Sequence, residues 1–190
     1  MSQSDTNVFR YLTISGCEDH GVNMDASSDN TFQKNVITGN GGAAFYVATG
    51  SRNNVYVDNI ITGNDKGIWF TSSSRDNLAF GNHIRSNMTA LRLSGGDTNT
   101  IHQNDFSSNS IVVEVSAVSS GNRIVKNNIT GYSQFASNGA GSPVTYSRNW
   151  FGTADDYVIA AAFGDTPVGA AGAVVSAPDV VSTGPRRKGR

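Results

Sequence analysis

The chain has 190 residues, with 14 Lys or Arg against 15 Asp or Glu and a net charge of −1. That length sets one sizeable domain, and with no basic face and no apolar run of about 18 residues the sequence points away from nucleic acid and from a membrane span. Its single cysteine, Cys17, excludes an intrachain disulfide, and the polar start Met1-Ser2-Gln3-Ser4-Asp5 does not read as a signal peptide.

Residues 7–25 form a first, degenerate unit. Phe9, Ile14, Val22 and Met24 are its inward apolar positions, while Leu12 and Cys17 stand where later units carry asparagine. A thiol in that place is expected to be buried and inert. From Asn30 the pattern is regular: asparagine, an apolar residue two places on, a second asparagine, another apolar residue, a third asparagine, then a short apolar run. Asn7, Asn30, Asn54, Asn77, Asn99 and Asn122 recur at steps of 22 to 24 residues. Asn35, Asn59, Asn82, Asn104, Asn127 and Asn149 follow five residues behind each unit's start, and Asn40, Asn64, Asn87 and Asn109 five further. A period of this size means stacked supersecondary units.

The inward positions can be read unit by unit. Phe32, Ile37 and the pair Phe45/Val47 serve the second unit; Tyr56, Ile61 and Ile68/Phe70 the third; Ala79, Ile84 and Leu91/Leu93 the fourth. Ile101, Phe106 and Val113/Val115 serve the fifth, and Ile124 with Ile129 the sixth. These runs are short, rich in β-branched residues and of period two, which favours strands over helices. Three such strands per unit leave no room for hairpins, so each strand stacks on its counterpart one unit later, ~4.8 Å away, in a parallel sheet. The buried asparagines are then expected at turns, adopting left-handed backbone and bonding along the stack.

Residues 133–142 read as a Gly/Ser/Ala loop. The string Asn149-Trp150-Phe151-Gly152-Thr153-Ala154-Asp155 follows. Thr153 with Asp156 three residues on looks like a capping box, Tyr157 to Phe163 suits a short helix, and Gly164 ends it. Residues 166–190 read as a flexible tail or linker, closed by Arg186-Arg187-Lys188-Gly189-Arg190. The expected organisation is therefore a β-helix over residues 1–152, a capping helix over 153–165 and a tail over 166–190.

The repeat resembles the right-handed parallel β-helix of the pectate-lyase-like superfamily, in its asparagine-rich, NosD-like form, and the Asn149–Asp155 string is similar to an ending seen in such proteins. The resemblance implies an all-β, single-stranded right-handed parallel β-helix of about six to seven coils with a C-terminal capping helix. It also implies an extracellular or cell-surface setting. Because the repeat begins almost at once with no room for a cap, the chain is expected to be the C-terminal part of a longer precursor with further coils, or to have another chain covering its first coil. The alternative is an intact cytoplasmic protein with a frayed first coil. The superfamily hosts lyases, epimerases, hydrolases and non-enzymatic surface proteins, so function must come from the site.

Outward residues align in columns, one per coil. Asn23, Tyr46, Trp69, Arg92 and Glu114 form one stripe, with Asp25, Ala48, Thr71, Ser94 and Ser116 beside it. Aromatic faces stack on sugar rings and Arg forks onto carboxylates, so the stripe suits a polysaccharide, in particular an acidic one. The competing reading has Tyr46 and Trp69 packed against a loop or partner and Arg92 paired with Glu114 on the surface. His83, Arg85, Asp105 and His102 form a second outward set, either a general acid–base pair or surface polarity.

Two functions follow: a β-helix module that binds polysaccharide or acts as a rigid scaffold, and a polysaccharide lyase or uronate epimerase acting on an acidic glycan along the stripe. For the enzyme, Arg92 and Glu114 are the catalytic candidates. Hydrolysis needs two carboxylates ~5–10 Å apart, whereas Asp25 and Glu114 lie four coils apart, about 19 Å at the strand spacing. A lyase of this fold would bring calcium, yet Asp19, Asp25, Asp58, Asp65, Asp76 and Asp97 are dispersed, and Glu18-Asp19-His20 only faintly resembles an epimerase string. No cofactor and no metal site is expected from the residues themselves.

Overall fold

The computed structural model describes residues 1–140 and 144–152. Over these residues the chain is a right-handed parallel β-solenoid of about six turns built from three parallel sheets. The expected capping helix and tail lie outside the described residues.

Each turn passes once through each sheet. The strand Thr31–Gln33 pairs in parallel with Val55–Val57, Val36–Thr38 with Ile60–Thr62, and Ala43–Ala48 with Lys66–Thr71. In the three-residue strands of turns two to five one central side chain points inward: Phe32, Ile37, Tyr56, Ile61, Ala79, Ile84, Ile101 and Phe106 are all buried. The longer strands of the third sheet bury an alternating apolar pair, Phe45/Val47 or Leu91/Leu93, together with small residues before it such as Ala44 and Ala90. Alternation of this kind is what period-two sequence dictates once one face is dry. The core is a stack of like on like: Phe32 lies on Phe9 at 4.9 Å and on Tyr56 at 5.6 Å between ring centroids. The buried Tyr56 hydroxyl donates to Met24 Sδ at 3.1 Å.

All three asparagine columns are hydrogen-bonded ladders. Asn82 donates its backbone N–H (3.0 Å) and a side-chain N–H (2.9 Å) to Asn104 Oδ1. Its own Oδ1 accepts the same pair from Asn59, at 2.9 Å each. Its Nδ2 also reaches the carbonyls of Tyr56 and Phe80. The amide thus satisfies backbone groups that a turn would otherwise bury unpaired. The left-handed residue, however, is the one before each ladder asparagine rather than the asparagine itself: Asp29, Lys34, Asp58, Asp76, Ser86, Thr98, Gln103 and Lys126 have φ of 52–58°. A left-handed residue turns the corner and so aims the next side chain into the ladder.

Four details depart from the sequence expectation. Gln134–Asn138 is a strand rather than loop, because Ile111–Ala117 offers it a ready edge and Phe135 fills the core. Ala48 and Thr71 are buried, not outward. Ser116 leaves its column, since a register shift sets Ala117 opposite Ser94. Cys17 is half-buried at the open end of the third ladder, where its backbone N–H donates to Asn40 Oδ1. Serine side chains add shorter links between turns, interrupted at Ser74, whose buried Oγ has no partner among the described residues: Ser27 Oγ accepts from the Ser4 N–H, Ser51 Oγ from the Ser27 N–H, and Ser119 Oγ from the Gly95 N–H.

Candidate functional site

The outer face of the third sheet carries the stripe in the expected register. Asn23 pairs with Tyr46, Tyr46 with Trp69, Trp69 with Arg92, Arg92 with Glu114, and Glu114 with Ser137. Strand pairing therefore holds the five expected residues on consecutive rungs. Asn23 is exposed and the other four are half-buried.

The half-burial comes from contacts among the stripe residues. The Arg92 guanidinium lies 4.7 Å from the centre of the Trp69 indole and Lys66 Nζ 5.2 Å from it. Arg92 Nε donates to Ser116 Oγ at 3.1 Å and stands 3.6 Å from Glu114 Oε1. Lys66 pairs with Asp65. Arg92 and the nearby Lys66 thus each have an acidic neighbour, and the charge of the face is largely cancelled within it.

An eighteenth-to-twentieth-residue turn supplies a group that the column reading did not include. His20 stacks on Tyr46 at 4.4 Å and 8°, and meets Trp69 edge-on at 6.1 Å. Tyr46 and Trp69 are 4.9 Å apart and nearly perpendicular. These three separations make a near right angle at Tyr46, so Trp69 lies along the edge of the phenol ring and not over its second face. Trp69 is accordingly covered on one side by Tyr46 and on the other by Arg92. Tyr46 has His20 on one face, and among the described residues no ring stacks on the other.

His20 is placed by its backbone surroundings. Its Nδ1 accepts the Ala43 N–H at 2.9 Å, which fixes the neutral tautomer with the proton on Nε2. Asp19 Oδ1 is 3.3 Å from the same nitrogen. Burial holds the imidazole below its ordinary value of 6.5; Asp19 and Asp65 oppose that shift and Lys66 adds to it. Gly42 makes the placement feasible, because a Cβ there would run into His20 Nδ1 and come within 2.7 Å of Asp19 Oδ1.

The second outward set divides between two sheets. His83 Nδ1 stands 3.5 Å from Asp105 Oδ2, and Asn128 Nδ2 donates to Asp105 Oδ1 at 2.8 Å. Arg85 shares the His83 strand, while His102 lies on another sheet and stacks on Phe80 at 5.4 Å. The dispersed aspartates do not gather: among the described residues no three His, Cys, Asp or Glu side chains are placed to hold a metal ion.

Three parallel sheets with internal asparagine ladders define a right-handed parallel β-helix fold. The family model described as "Right handed beta helix region" matches residues 1–84, the turns that carry His20, Tyr46 and Trp69. No curated protein matches the chain.

Proposed function

We propose that this β-helix is a rigid module that binds a polysaccharide along the outer face of its third sheet, with Tyr46 as the stacking platform. The observation that carries this reading is the half-buried Tyr46 ring, with His20 stacked on one face, Trp69 at its edge and, among the described residues, no ring on the other face. The apolar C–H face of a sugar ring packs on such a π-surface, and a ring already fixed costs little to order. Asn23 one rung before and Ser137 beyond Glu114 supply polar flanks on the same column.

Internal cancellation of charge favours a neutral glycan. Arg92 faces Glu114 and Lys66 faces Asp65, so a carboxylate of the ligand would have to displace one already present. A neutral polysaccharide meets no such competition. For the alternative, a lyase or epimerase, Arg92 would act as base or carboxylate clamp, yet its guanidinium is engaged with Trp69, Glu114 and Ser116. An extracellular or cell-surface location belongs to the same proposal, since that is where such glycans are met.

A panel of immobilised neutral and acidic polysaccharides tests it. Retention on neutral chains, insensitive to salt, is the expected result. Retention on acidic chains alone, abolished by salt, or release of an unsaturated product absorbing in the ultraviolet, would replace this reading with the enzyme one.

A further inference from the structure

Tyr46 can serve as a platform only while its ring is held in place, and one group outside the strand ladder holds it. We propose that His20 is the positioning residue of the Tyr46 platform, and that its neutral imidazole, anchored on the Ala43 amide, is the state that keeps the platform ordered. This rests on the binding reading above and adds a control to the same site.

The argument is one of donors and acceptors. Neutral His20 offers Nδ1 as an acceptor, and the Ala43 N–H fills it at 2.9 Å. A proton on Nδ1 would set two donors facing each other, and the ring would have to leave the amide. Asp19 Oδ1, 3.3 Å away, is the acceptor to which a protonated ring would turn. That motion withdraws the surface against which Tyr46 lies flat, at 4.4 Å and 8°. It also strands the Ala43 N–H, whose residue is fully buried.

The groups facing His20 set the direction. Tyr46 covers it from the neighbouring strand and Trp69 from the strand beyond; Asp19 lies beside it on its own turn; Asp65 and Lys66 act on it from two turns further along the solenoid. Burial favours the neutral ring and Lys66 does so too, against the two aspartates. The balance keeps His20 neutral at pH 7, and the anchor is lost as pH falls below 6.5.

Titration of the full chain by NMR tests this without a ligand. The expected result is an Nε2–H tautomer at pH 7.5, with the His20 ring, the Ala43 amide and the Tyr46 ring protons all moving with one midpoint below 6.5. A His20 midpoint at or above 6.5, or a titration that leaves Ala43 and Tyr46 unmoved, overturns the proposal. His20→Phe keeps a ring against Tyr46 but has no acceptor, and should make the Tyr46 signals independent of pH. If they still titrate, another group controls the platform and the proposal fails. Affinity electrophoresis in soluble xyloglucan supplies the binding arm: mobility retardation should weaken about tenfold in apparent affinity across that midpoint, the size of one hydrogen bond. Absence of retardation at every pH counts against the glycan reading, while the His20 anchor is decided by the NMR midpoints.

Discussion

Arg92 lies 4.7 Å from the centre of the Trp69 ring and comes from the rung opposite to that of Tyr46, so the half-buried indole is a pillar between two rungs. Its Nε1 is buried with no hydrogen-bond partner among the described residues. Trp69→Phe removes that orphaned donor while keeping most of the packing. Its expected cost is small, within about 1 kcal/mol, whereas Trp69→Ala should cost about 3 kcal/mol. Urea unfolding of both variants distinguishes them; equal losses would mean the indole N–H is satisfied in solution.

The middle of a ladder should be far less tolerant than its open end. Asn82→Leu strips acceptors from the Asn59 N–H groups and a donor from the Tyr56 carbonyl, all buried, and a donor from the part-buried Phe80 carbonyl. A loss of about 3 kcal/mol is expected. Leucine already stands at the start of that ladder, where the Leu12 N–H donates to Asn35 Oδ1 and the side chain is 43% exposed. Leu12→Asn should therefore be neutral or stabilising by up to about 1 kcal/mol. Matched losses at the two sites would show that the ladder carries no cooperative load.

The left-handed corners give a third expectation. Lys34 and Lys126 hold φ of 54° and 58° with exposed side chains, so glycine relieves backbone strain and gives up little packing. Glycine's greater freedom in the unfolded chain offsets part of the gain, leaving about 0.5 kcal/mol in favour of Lys34→Gly and Lys126→Gly. Lys34→Ala should lack that gain. Thermal melts of the three variants settle the order.

His20 ties stability to pH. Its imidazole is held below 6.5 in the folded chain, so the unfolded chain takes up the proton first as the solution is acidified. Stability should be constant above that value and fall as pH drops from 6.5 through the folded midpoint. His20→Phe should remove this part of the pH profile. An unchanged slope between pH 6.5 and 5 in that variant would assign the effect to other groups.

The fold was legible because two periodicities agree: alternation within each strand and asparagine recurrence between units. The stripe was legible for the same reason, since parallel pairing preserves column membership from Asn23 to Glu114. What escaped depends on contacts between turns. His20 reaches Tyr46 only because Gly42 leaves space for the turn above it, and a column drawn through strands contains neither residue. Ser116 left its column through a single register shift that no residue type announces. The Gln134–Asn138 strand has a polar second half, and it pairs because the neighbouring strand was already there. Ring coverage on Trp69 depends on side-chain orientation, which column membership does not specify.

The central claim is that Tyr46, and not Trp69, meets the ligand. Dissociation constants of Tyr46→Ala and Trp69→Phe for xyloglucan, measured beside the unaltered chain at pH 7.5, test it most directly. The account predicts a loss of tenfold or more for Tyr46→Ala, about 1.4 kcal/mol, with Trp69→Phe close to the unaltered chain. Undiminished binding by Tyr46→Ala, with melting unchanged, would contradict it.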